Sequence, residues 1–215
     1  MAHDSNDHGS NDHGSHKQGS SKQDSGKPAF WDTRYRSDVT PWDQGGVPAR
    51  LIDYARTRTD RPRVLVPGCG AAYEVKYLVE HGWNVRAIDF SAAAIDAGRA
   101  ILGPHAAILE QADFFDFAGD TTPFDVIYER AFLCALPPHV WPQYAARMAE
   151  LLSPGGVIAG FFFVEPTEKG PPFGIAPEAL TALLGPSFER IADQPVDDSI
   201  PIFRGKERWQ IWRRR

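Results

Sequence analysis

Apolar positions in this chain fall into short blocks separated by stretches of helical spacing, and the two periods alternate from residue 63 onward. Arg63-Val64-Leu65-Val66 predicts a short buried strand that stops at Pro67-Gly68. From Ala72 to His81, Val75, Leu78 and Val79 recur with Tyr73 and Tyr77 at helical spacing, and Gly82 ends the run. Trp83 to Ile88 predicts a second strand ending at Asp89, after which Ser91 caps a helix that continues through Leu102 to Gly103-Pro104. The cycle repeats. Ala107 to Gln111 is a third strand leading into Ala112-Asp113-Phe114, and Phe124 to Tyr128 a fourth ending at Glu129-Arg130. A helix from about Pro138 to Leu152 stops at Ser153-Pro154-Gly155-Gly156, and the very apolar stretch Val157 to Val164 is a fifth strand.

Strands separated by single helices pair in parallel through right-handed crossovers. The two ends of the chain break the cycle. Phe30 to Tyr54 reads as an aromatic, polar lead-in with a helix from about Pro48. After a helix near Pro177 to Leu184, Phe188 to Ala192 and Arg208 to Trp212 read as an antiparallel pair joined by a long loop. The expected architecture is therefore α/β: a three-layer sandwich on a mostly parallel sheet with a closing antiparallel strand. Residues 30–215 form one domain.

Residues 1–29 are set apart by composition. Ser5-Asn6-Asp7-His8-Gly9 recurs as Ser10-Asn11-Asp12-His13-Gly14, and no Val, Leu, Ile or aromatic residue occurs from His3 to Ala29. Nothing there offsets the entropy of ordering, so a disordered tail is expected. Its histidines (His3, His8, His13 and His16) can loosely chelate a transition metal, which keeps a non-catalytic metal-binding role open. For the rest, 42% hydrophobic and 24% charged residues describe an ordinary soluble protein. A net charge of −5 gives no electrostatic reason to expect nucleic acid or an anionic membrane as partner. No apolar run reaches the roughly 18 residues of a membrane span, and the start lacks the basic and apolar regions of a signal peptide. Cys69 and Cys134 lie far apart and make no metal spacing, so a cytoplasmic location is expected. Nothing demands more than a monomer.

In an open parallel sheet, ligands bind beyond the carboxyl ends of the strands, where strand order reverses. Four polar positions fall at those ends: the Gly68–Gly70 turn, Asp89, Asp113 and Glu129-Arg130. Gly68 and Gly70 let the backbone approach a bulky ligand. Asp89, 19 residues after Gly70, can accept hydrogen bonds from a ribose diol. Asp113 is placed to accept from an adenine amino group, with Phe114 against the ring face. These contacts suit either NAD(P) or S-adenosylmethionine. Tyr73 stands where a dinucleotide fingerprint has its third glycine, and Leu151-Leu152-Ser153-Pro154-Gly155-Gly156 running into an apolar strand is a pattern common in methyltransferases. The balance favours a Rossmann-like class I methyltransferase using S-adenosyl-L-methionine without a metal; an NAD(P)-dependent oxidoreductase is the other reading.

At this point the sequence resembles the thiopurine S-methyltransferase family, and within it the branch of thiol and halide methyltransferases. The stretches that carry the resemblance are Phe30-Trp31-Asp32-Thr33-Arg34-Tyr35, Val39-Thr40-Pro41-Trp42-Asp43-Gln44-Gly45, Val64-Leu65-Val66-Pro67-Gly68-Cys69-Gly70, Glu129-Arg130-Ala131-Phe132-Leu133-Cys134-Ala135-Leu136 and Gly170-Pro171-Pro172-Phe173. The resemblance implies that the aromatic lead-in, with Trp31, Tyr35 and Trp42, folds over the cofactor. It places Arg130 beside cofactor and substrate, where it is the candidate for anion stabilisation in catalysis; an ion pair with Glu129 or Asp125 is the structural alternative. Many methyltransferases carry an acidic residue just before the glycine turn, where this chain, like the family, has Pro67. Tyr35 stands where the branch often has tryptophan.

The implied reaction is in-line methyl transfer from the sulfonium to a small soft nucleophile: a thiol or thiopurine sulfur, with a halide (iodide, bromide or chloride) as the alternative. Such chemistry needs no strong general base, because a thiol with a pKa near about 8.5 is already partly ionised at neutral pH. Tyr144 is either a helix-core residue or a group that positions the nucleophile. Cys69 and Cys134 are expected to be buried and inert.

Overall fold

The computed structural model describes residues 24–119 and 122–215, so the His-rich repeats and their metal-chelating potential lie outside the described residues. The sheet has seven strands: β1 (Arg63–Pro67), β2 (Asn84–Asp89), β3 (Leu109–Gln111), β4 (Phe124–Arg130), β5 (Leu152–Phe163), β6 (Phe188–Pro195) and β7 (Glu207–Arg214). Their order is β3-β2-β1-β4-β5-β7-β6. The first five are parallel; β7 runs antiparallel between β5 and β6. Chain order reverses between β1 and β4, and the crevice beyond their carboxyl ends is the place for a ligand.

Alternation along the strands explains the two cores. Val64 and Val66 of β1 and Val126 and Tyr128 of β4 face one side, with Leu51 of α2 (Ala49–Arg56), Val75 and Leu78 of α3 (Tyr73–Glu80) and Ile95 of α4 (Ala92–Leu102). Leu65 and Ile127 face the other side, against Tyr144 and Met148 of α5 (Trp141–Leu151) and Leu180 of α6 (Pro177–Leu184). β7 serves both cores, placing Trp209 in the first and Trp212 in the second.

The expected α/β sandwich is thus present, with local departures. Gly103–Ile108 winds into a 3₁₀ turn, which shortens β3 to Leu109–Gln111. Pro138–Val140 does the same before α5. Ser153-Pro154-Gly155-Gly156 does not end a helix cleanly: β5 already begins at Leu152, and the four residues form an irregularity in the ladder between Leu152 opposite Phe124 and Val157 opposite Val126. The largest departure is α1 (Pro28–Arg36), a helix in the segment read as an aromatic, polar lead-in. Its weak amphipathicity hides it, because Phe30 is the only residue it buries fully. Chain order also begins before Phe30. Ser25 is buried, and its carbonyl accepts a hydrogen bond from the Trp31 indole at 2.8 Å.

Gly160 marks the tightest point of the sheet. It sits opposite Glu129, and a Cβ there would overlap the Glu129 carbonyl oxygen and backbone. Gly160→Ala is expected to destabilise the fold by about 3 kcal/mol, the upper range for overpacking in a core that cannot relax, measured by urea denaturation.

Candidate active site

The glycine turn follows from the end of β1. Gly68 and Gly70 have φ of +59° and +53°, values that L side chains rarely adopt. Their hydrogens are needed as well: a Cβ on Gly68 would come within 2.5 Å of the Phe132 ring, and one on Gly70 within 2.5 Å of the Tyr35 hydroxyl. Behind the turn, Gly98 lets α4 pack close to the Gly70 carbonyl.

Asp89, at the end of β2, holds this turn. Its Oδ2 accepts the Gly70 N–H at 3.1 Å and its Oδ1 the Ser91 N–H at 2.9 Å. Burial pushes its pKa up to about 6, against the pull of those donors. A carboxylate offers roughly four lone-pair sites, so acceptor capacity remains. Asp113 sits in an exposed turn with Oδ1 accepting the Phe115 N–H at 2.9 Å. Phe114 is buried, its ring edge-on to Phe132 at 5.1 Å.

Arg130 ends β4, and alternation turns it away from Glu129. The alternative of a pair with Glu129 or Asp125 is not what forms. Asp125 accepts the Arg63 N–H at 2.9 Å, and Glu129 accepts the Phe132 and Leu133 N–H groups and the Tyr144 hydroxyl at 2.8, 3.1 and 2.7 Å. Arg130 instead pairs with Glu74 of α3, Nε to Oε1 at 3.5 Å, and lies over the Phe161 ring at 4.4 Å. Burial opposes its charge, yet Tyr128, Glu74 and Glu207 together hold its pKa above the usual arginine range. Tyr144 is fully buried and supports Glu129 from behind. Burial raises the Glu129 pKa to about 7.

The aromatic lead-in has a defined seat. Trp42 meets Trp31 edge-on at 5.2 Å and Tyr35 at 6.0 Å, and its indole N–H faces the Tyr35 hydroxyl at 3.4 Å. Asp32 of α1 reaches the start of α4, where its Oδ1 accepts the Ser91 hydroxyl at 2.6 Å and the Ala93 N–H at 3.1 Å. Ser91 in turn caps its own helix through Ala94 N–H.

These parts enclose one cavity of about 560 Å³. All nine residues expected to hold ligand (Trp31, Tyr35, Trp42, Gly68, Gly70, Asp89, Asp113, Phe114 and Arg130) line it. Both cysteines line it too, and burial pushes each thiol well above its ordinary range.

A family model described as thiopurine S-methyltransferase matches residues 26–215. The chain belongs to this family. It is 27% identical over 194 residues to thiocyanate methyltransferase 1 of Arabidopsis thaliana, covering 86% of this chain and 84% of that one. It is 30% identical over 202 residues to the thiopurine S-methyltransferase of Methylococcus capsulatus, covering 83% and 91%. Among solved structures, a Burkholderia thailandensis 1,6-didemethyltoxoflavin-N1-methyltransferase with bound S-adenosylhomocysteine superimposes with a TM-score of 0.69 at 18% identity, covering 87% and 86% of the two chains. At that identity the likeness speaks for the fold. Family and fold together make this protein an S-adenosylmethionine-dependent methyltransferase.

This family member also lines its cavity with residues that sequence reasoning passed over. Glu74 and Tyr128 lie beside Arg130, and Pro171, Pro172, Ile202 and Phe203 also line the cavity. Glu74 carried a readable signal, an acidic residue in the first turn of the helix that the glycine turn opens. Ile202 and Phe203 carried none, being brought in by the loop between β6 and β7. That loop is tied down by Asp198, which accepts the Ala49 N–H at 2.8 Å, and by Ser199, which donates to Glu207 at 2.6 Å.

Burial works to raise the Asp32 pKa, but Ser91, Ala93 and Arg36 outweigh it and hold the carboxyl below its ordinary 3.8. Its contribution to stability is therefore complete at neutral pH and is lost as pH falls below 3.8. At pH 7, Asp32→Ala is expected to lose about 1 kcal/mol in urea denaturation, the scale of a lost helix cap. Asp32→Asn, which keeps the accepting oxygen, loses less.

Proposed function

We propose that this enzyme transfers the methyl group of S-adenosyl-L-methionine to the sulfur of a small thiol or thiopurine. The observation that carries this reading is that one cavity combines two unlike linings. One is a backbone cradle with a buried carboxylate; the other is the apolar set Trp42, Pro171, Pro172 and Phe203. When bound, the donor supplies a methyl group on a positively charged sulfur, open to in-line displacement by a soft nucleophile.

The residues fit that donor. A Cβ at Gly68 or Gly70 would crowd the cradle against Phe132 or Tyr35, and the remaining acceptor capacity of Asp89 suits a ribose diol. Asp113 and Phe114 take the adenine edge and face. Trp31, Tyr35 and Trp42 cover the sulfonium, since aromatic faces favour a cation. The apolar lining takes the body of the acceptor and excludes water around the reacting sulfur. Arg130, charged at every accessible pH, favours an anionic group at its place, and its field raises the ionised fraction of a nearby thiol. Orientation of nucleophile against methyl does the remainder.

Labelled methyl transfer from S-adenosylmethionine to a panel of thiophenols, thiopurines, hydrosulfide and iodide tests the reading. Turnover is expected with the sulfur acceptors; turnover with iodide alone would replace it. Asp89→Ala is expected to weaken S-adenosylhomocysteine binding by about 1.5–3 kcal/mol, the scale of charge-assisted hydrogen bonds, by calorimetry. Ribose hydroxyls donate more strongly to the ionised carboxylate than to the neutral acid, so wild-type affinity is expected to hold above Asp89's pKa of about 6 and to fall as pH drops through it. Asp89→Asn flattens that dependence.

A further inference from the structure

One buried carboxyl group lies off the cavity wall, yet it fixes a segment that forms part of it. Glu129 is 1% exposed and sits near the end of β4, on the face away from Arg130. Its Oε1 accepts the Phe132 and Leu133 N–H groups at 2.8 and 3.1 Å, and its Oε2 accepts the Tyr144 hydroxyl from α5 at 2.7 Å. The backbone it grips is strained. Ala131 has a φ of +55°, which a residue with a Cβ adopts only where its surroundings impose it. Beyond it, Leu133–Ala135 winds into a 3₁₀ turn, where the Cys134 carbonyl accepts the Phe173 N–H at 2.7 Å.

This short segment touches both linings of the cavity. The Phe132 ring lies against the glycine turn, within 2.5 Å of where a Cβ on Gly68 would stand. Ala131 and Cys134 belong instead to a small apolar cluster with Phe163, Ile200, Phe203 and Trp42. Neighbouring residues of one turn therefore tie the cradle to the apolar lining. In-line displacement needs nucleophile and methyl held in register, and a misplacement of about 1 Å can cost roughly 100-fold in rate. The turn that spans both linings fixes that separation.

We propose that Glu129, held by Tyr144, is a positioning residue for methyl transfer: its ionised carboxylate keeps the Ala131–Cys134 turn in the arrangement that aligns donor and acceptor. The inference rests on the reading of the cavity as a methyl-transfer site and deepens it. A neutral acid grips the turn less firmly, because hydrogen bonds to an ionised acceptor are about twice as strong as neutral ones. A proton on Oε2 also turns the Tyr144 bond round, leaving that buried hydroxyl's hydrogen without its acceptor. The groups facing the carboxyl are Tyr144 from α5 and Cys134 from the following turn; burial and Glu129 itself push both upward, so both stay neutral. Arg130 is turned to the other face, and Phe161, Phe162 and Phe163 of β5 with Phe173 and Ile175 complete an apolar surround. Burial pushes the Glu129 pKa up to about 7 against the pull of Tyr144, Leu133 and Phe132, so its charge changes near neutral pH.

Turnover of a thiophenol by the full chain, at saturating S-adenosylmethionine and across pH, tests the role. Glu129→Gln keeps an accepting oxygen for Phe132 and Leu133 and imitates the neutral acid at every pH. Its kcat relative to wild type is expected to approach one well below pH 7 and to fall about tenfold well above it. Taking the ratio cancels the titration of Asp89 and of the thiol itself. S-adenosylhomocysteine binding, by calorimetry, is expected to change far less than kcat, since Glu129 lies off the cavity wall. Tyr144→Phe removes a donor that favours the ionised form, so it is expected to move the midpoint of the pH profile upward, and it decides the matter if Glu129→Gln does not fold. A ratio independent of pH, a midpoint that Tyr144→Phe leaves in place, or a loss of binding as large as the loss of kcat would overturn the positioning role and leave the methyltransferase reading intact. A wild-type chain that turns over no thiol would overturn the two together.

Discussion

The structure depends on one buried carboxylate. Asp89 closes β2 and grips the Gly70 and Ser91 N–H groups, so the shape of the glycine turn and the start of α4 are set by the same side chain. Ser91 passes that constraint outward to Asp32, which seats the aromatic helix α1 over the cavity. A strand end, a turn, a helix cap and the aromatic helix α1 are thereby held in one chain of hydrogen bonds. It has a thermodynamic cost. A carboxyl whose folded pKa is raised to about 6 favours the folded state in acid and disfavours it as pH rises through that value. At neutral pH the protein gives up stability to keep a charged acceptor in a dry place, which is the usual signature of a group kept for binding.

Alternation along β4 organises the rest. Tyr128 and Arg130 face the cavity side with Glu74, whereas Glu129 faces Tyr144 and the opposite core. Adjacent residues of one strand therefore separate two tasks. Arg130 presents charge to the cavity, and Glu129 braces the backbone of Phe132 and Leu133, which shapes the wall next to it.

What the sequence revealed, and what it hid, follows from range. Strands with central apolar blocks, the Ser91 cap and the glycine turn are local features with local causes, and they were legible. So were the positions at strand ends, because the register of a parallel sheet carries them all to one edge. The first helix was not legible: it buries little of its own surface and is held by Asp32 and Trp31 contacts to distant residues. The ion pair that Arg130 makes was hidden for the same reason. Nearness in sequence offered Glu129 or Asp125 as the alternative to a place beside the ligand, while long-range packing delivered Glu74. Phe203 and Ile202 belong to a loop with no periodic pattern, so only tertiary structure shows that they close the cavity.

The place of β7 has a consequence for how the chain comes together. It follows every other strand in sequence, yet it lies inside the sheet, paired to β5 on one side and β6 on the other. Trp209 and Trp212 complete the two cores from there. A chain emerging from the ribosome can thus assemble β1 to β5 and their helices, but neither core is sealed until these tryptophans arrive. During synthesis β5 is an exposed, strongly apolar sheet edge, and β6 has no strand to pair with. The last-made strand is the keystone, so the interval before its release is when the protein is most open to aggregation and to chaperones.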